Sequence, residues 1–132
     1  MELIERVQPR RLNANQEAHV VESLKASPVR GQVRISYVSG DAEGGTFARQ
    51  INDILRKAGW PARPLIQIVF ASNPVGASIL VPELIPQHAE FVRNAFSSVG
   101  ISLPVRVNKK QPPDTVVLQI GNKPQPEQLQ TP

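Results

Sequence analysis

Two stretches of this sequence carry the same punctuation, and that repetition narrows the fold more than any other feature. Each has a strand-like apolar run, an amphipathic helical stripe, a glycine followed by a large apolar residue, and a second strand-like run. In the first, Val33-Arg-Ile-Ser-Tyr-Val38 alternates, with Val33, Ile35 and Tyr37 on one face. Phe47, Ile51, Ile54, Leu55 and Ala58 then recur at helical spacing, which is the strongest helix signal in the chain. Gly59-Trp60-Pro61 stops that helix: a left-handed glycine closes it, the indole folds back, and proline prevents continuation. Leu65-Ile-Gln-Ile-Val-Phe-Ala71 is nearly continuous and apolar, so it reads as a strand buried on both faces.

The second unit begins with Ala77-Ser-Ile-Leu-Val81, ended by Pro82. A helix follows Pro86, with Phe91, Val92, Ala95, Phe96 and Val99 as its stripe, and stops at Gly100-Ile101. Leu103 to Val107 forms a short strand with Arg106 outward, and Thr115 to Ile120 a last one. Ahead of both units, Asn13 and Gln16 have the spacing of a capping box, and Ala18, Val21 and Leu24, or Val20 and Leu24, supply an apolar stripe until Ser27-Pro28.

The order is therefore α, β, α, β, β, α, β, β. The turn 72–76 is too short for a crossover, so the second and third strands are expected to form a hairpin. This gives an α/β, two-layer sandwich: a mixed four- or five-stranded sheet with a βαββαβ-like core, preceded by a helix over an end or the other face. A Rossmann-like open sheet is the alternative. Residues 1–12 read as a leading segment, 13–121 as one domain, and 122–132 as a disordered Pro- and Gln-rich tail.

The 132 residues suffice for one such core. Cysteine is absent, which removes disulfides, thiol catalysis and thiolate zinc sites. Two histidines, His19 and His88, do not make a histidine metal site, and each reads as a surface or packed residue. No metal site, catalytic residue or cofactor is expected. No apolar run spans a bilayer and the first residues are not a secretory signal, so a cytoplasmic location is expected.

Fifteen bases against 11 acids give a net charge of +4. The excess sits at the ends, with six bases and four acids in residues 1–40, five of each in 41–100, and four against two in 101–132. Arg10-Arg11 and Lys109-Lys110 are local clusters near the two ends, too little for a basic stripe; weak nucleic-acid binding through them is a third-ranked reading. Aromatic residues are 5% of the chain, few for base stacking.

The loop Ser39-Gly-Asp-Ala-Glu-Gly-Gly-Thr46 joins a strand to a helix N-terminus, where α/β proteins bind ligands. It is neither a dinucleotide fingerprint nor a phosphate loop, and Asp41 and Glu43 oppose an anion unless a cation bridges them. Helix capping by Asp41, with Glu43 favouring the positive end, is the simpler account. A small polar ligand or nucleotide sensor would use Ser39, Gly40, Asp41, Glu43, Gly44, Gly45, Thr46 and, across the sheet end, Asn73. A protein interface would use Leu84-Ile85, between Pro82 and Pro86, and the edge strand guarded by Arg106.

Arg10-Arg-Leu12 with Gln16, Gly40-Asp-Ala-Glu43 with Phe47-Ala48, Ala58-Gly-Trp60, and Ile120-Gly-Asn-Lys-Pro124 together resemble a soluble C-terminal α/β domain of uncharacterised bacterial proteins, often membrane-anchored. The likeness covers roughly residues 9–124, mostly caps and core positions. It implies a cytoplasmic module attached to something else, and no chemistry. The absence of a membrane segment departs from that pattern, as in a free-standing version or an excised domain. The expected function is a non-enzymatic interaction or regulatory module that oligomerises or docks a protein partner.

Overall fold

The computed structural model describes residues 9–124. These form α1 (Ala14–Lys25), β1 (Arg34–Val38), α2 (Ala42–Lys57), β2 (Ile66–Ile68), β3 (Ala77–Val81), α3 (Gln87–Ser97), β4 (Val105–Val107) and β5 (Val117–Ile120). The five strands make one mixed sheet in the order β2-β1-β5-β3-β4, an α/β fold consistent with a two-layer sandwich. β1 is parallel to both β2 and β5, β3 is parallel to β4, and only β3 against β5 is antiparallel. The two strand–helix–strand units thus lie end for end, joined by β5.

The local signals explain the helices. Asn13 accepts from the Gln16 amide while the Gln16 side chain accepts from the Asn13 amide, each over 2.8 Å. Gly59 and Gly100 have φ of 78° and 87°, which only glycine adopts freely. Trp60 N–H reaches Leu55 O and Ile101 N–H reaches Phe96 O, both over 3.0 Å, so the two helices end in the same six-to-one bond. Their stripes fill the core: Phe47, Ile51, Ile54, Leu55, Val92 and Phe96 meet Ile35, Ile79, Val81, Leu118 and Ile120. α1 packs against both α2 and α3 and seals Val20 and Leu24 inside.

Two expectations are corrected. β2 and β3 form no hairpin; β1 and β5 lie between them. Residues 69–76 cross the carboxyl ends of those two strands. Eight extended residues reach up to about 26 Å, against about 14 Å for three strand spacings, so the crossing is easy. Pro74 O accepts from Asn122 N–H over 2.8 Å, and Gly76 exchanges bonds with Gly121 and Asn122. Asn122 therefore belongs to the domain, while the rest of the expected tail from 125 lies outside the described residues. The run 65–71 is not buried on both faces either. Only Ile66–Ile68 is strand, it lies at the sheet's edge, and Val69 is 87% exposed.

Candidate functional site

The loop 39–46 is held by its own groups and by partners from β2, the chain after β5 and Arg10. Gly40 turns the chain with φ of 84°. Asp41 Oδ1 accepts from Gly44 N–H over 3.1 Å, and Oδ2 accepts from the Asn122 side chain over 3.1 Å. A Cβ on Gly44 would lie 2.6 Å from Asp41 Oδ2, and one on Gly45 would lie 2.9 Å from the Tyr37 ring. The glycine pair thus lets the cap close and lets α2 approach β1; neither is needed to cradle a phosphate. Thr46 Oγ1 donates back to Ala42 O over 3.0 Å, and Ser39 N–H donates to Ile68 O over 2.9 Å.

Glu43 has a partner 33 positions away. Arg10 donates to its carboxylate through Nε at 2.9 Å, Nη2 at 2.8 Å and the backbone N–H at 2.9 Å. Arg10 Nη2 also donates to Gly121 O over 2.8 Å, and the guanidinium lies 5.2 Å from the Phe47 ring centre. Burial alone pushes the Glu43 carboxyl up; the hydrogen bonds and charge of Arg10 outweigh it and hold Glu43 below its ordinary value. Both acids therefore already have partners, with which a bridging cation would compete. Among the described residues no three acidic or histidine groups gather as metal ligands. A shallow hollow of about 210 Å³ does adjoin the loop, lined by Gly40, Asp41, Tyr37, Arg49 and Gln67; Asn73 is not part of it.

His88 is packed: its Nε2 lies 3.0 Å from Gln32 O and its ring centre 6.1 Å from that of Trp60. His19 is exposed on α1. The two basic pairs stand at opposite ends of the sheet, because Arg10 binds at the end of β5 whereas Lys109 follows β4 beyond the end of the antiparallel β3. Lys109 Nζ approaches Glu83 to 3.8 Å, and Arg11 and Lys110 are exposed.

Two surfaces remain. At one corner Leu84 is 86% exposed and Ile85 51%, beside Val107 at 53%, with exposed Arg106 on the edge strand β4. At the opposite edge is β2, which the sequence reading placed in the interior. Leu65, Ile66, Ile68 and Phe70 are all half-buried, Gln67 and Val69 are exposed, and no charge occurs from Leu65 to Ala71. That lack of charge was the available signal, since edges are normally guarded by charge or proline.

No protein-family model matches the chain, and neither a curated protein nor a solved structure matches it. Among the described residues no helix is long and apolar enough to cross a membrane.

Proposed function

We propose that this domain is a non-enzymatic interaction module that self-associates through β2. The observation that supports this is the uncharged apolar run 65–71, half-exposed at a sheet edge. Antiparallel pairing of two copies about Gln67 would set Ile66 against the second copy's Ile68, and Leu65 against its Val69. Every facing pair around the centre is then apolar, and no like charges meet. The same operation on β4, about Arg106, sets that arginine against its own copy, and this like-charge pair disfavours that edge. A two-fold pairing at β2 is closed, so it makes a dimer with one continuous sheet rather than a fibre.

Light scattering at about tens of micromolar tests this, in the range of modest transient interfaces. The wild-type chain is expected to be dimeric there, and Val69→Lys and Gln67→Lys monomeric with unchanged circular dichroism. A monomeric wild-type chain throughout that range overturns the reading. The exposed corner at Leu84 and Ile85 favours a second reading, docking of a different protein, as a module attached to something larger would require. That reading predicts that Leu84→Ser leaves self-association unchanged.

A further inference from the structure

Beyond self-association, the end of the sheet crossed by residues 69–76 carries a cleft of about 440 Å³. That is the size of sites that take small organic ligands. Its walls are apolar: Phe47 from α2, Val75 and Ala77 leading into β3, and Ile101 after α3. Among the described residues its charged lining is of one sign, Arg10, Arg11 and Arg106, with no aspartate or glutamate.

The three arginines differ in what they have left to give. Arg10 is fixed by Glu43, Gly121 and Phe47, yet its Nη1 is buried with no hydrogen-bond partner among the described residues. Burial without a partner is costly for a guanidinium nitrogen, so this arrangement gains from an acceptor brought close to it. Arg11 and Arg106 are exposed and form no ion pair among the described residues. Glu43 offsets Arg10 alone. The cleft therefore keeps a positive field over a greasy floor. The complement of that surface is an apolar body bearing one anionic group, because a bare phosphate would leave the walls wet and a neutral hydrocarbon would leave the arginines unanswered.

We propose that this cleft binds a small amphipathic carboxylate, its apolar body against Phe47 and Ile101 and its carboxylate between Arg11 and Arg106. Octanoate is the probe, with octylammonium and octanol as cationic and neutral controls of the same tail. Titrations followed by amide chemical shifts in the full chain should show octanoate perturbing Ala77 and Ile101, and the two controls binding more weakly by at least about tenfold, one charge-assisted contact's worth. Arg11→Ala and Arg106→Ala should each weaken octanoate by about tenfold. Both side chains are exposed, so the thermal midpoint without ligand should not move. Arg10→Ala is less informative because it also releases Glu43. The proposal is overturned if octanoate at millimolar concentration perturbs nothing in the cleft. Equal binding of octylammonium or octanol, or wild-type affinity in both arginine variants, overturns it as well.

Discussion

The indole nitrogen of Trp60 donates a 2.9 Å hydrogen bond to the carbonyl of Leu24, so the residue that closes α2 also satisfies the last turn of α1. Trp60 is 3% exposed and Leu24 fully buried, so no water replaces that bond if it is lost. Trp60→Phe keeps most of the apolar volume and removes the donor. It is expected to destabilise the domain by about 2 kcal/mol, measured by urea unfolding.

Gly121 is the floor beneath the crossing segment. A Cβ there would lie 2.6 Å from both Pro74 O and Gly76 O, which are backbone atoms with no rotamer to change. Gly121→Ala should cost about 1–3 kcal/mol through overpacking. Gly59→Ala and Gly100→Ala should each cost about 1 kcal/mol for the left-handed φ alone. A smaller effect at Gly121 than at Gly100 would show that the crossing segment moves aside.

Such caps were legible in the sequence because they are decided within a few residues. Asn13 with Gln16, Asp41, Gly59 and Gly100 all act on their own turn of helix, and the two-unit pattern follows from them. Strand order is decided elsewhere. The run 65–71 is apolar enough for an inner strand, but β5, with Leu118 and Ile120 completely buried, takes the central place beside β1. β2 then has only β1 to pair with. Of the loop 39–46, the cap role of Asp41 was legible. The Arg10–Glu43 pair was not, since nothing local links positions 33 apart, and Arg10 read as half of a basic cluster.

That pair contributes to the acid response. Glu43 has a folded pKa below the ordinary 4.5, so its contribution to stability is present above 4.5 and is lost as the pH falls through the folded value. Glu43→Gln should flatten the fall in urea midpoint from about pH 6 to about pH 3 relative to the wild-type chain. A parallel pair of curves would mean that Arg10 holds the carboxylate no better than water does.

Asp41→Ala removes a cap and the acceptor of Asn122 together, and should cost about 1–2 kcal/mol. Asp41→Asn should recover most of it, because an amide oxygen still accepts from Gly44. Thermal denaturation of the two variants separates the cap from the charge.

The middle strand of the sheet is the last strand among the described residues to be synthesised. β1 with β2, and β3 with β4, are near neighbours in the chain and pair within their own units. Neither unit bonds to the other strand for strand; each bonds to β5. A nascent chain that stops short of Val117 thus has two half-sheets, each with an inner edge bare as well as an outer one. Residues 117–120 act as a keystone, and the four earlier strands stay vulnerable to wrong partners until it is in place.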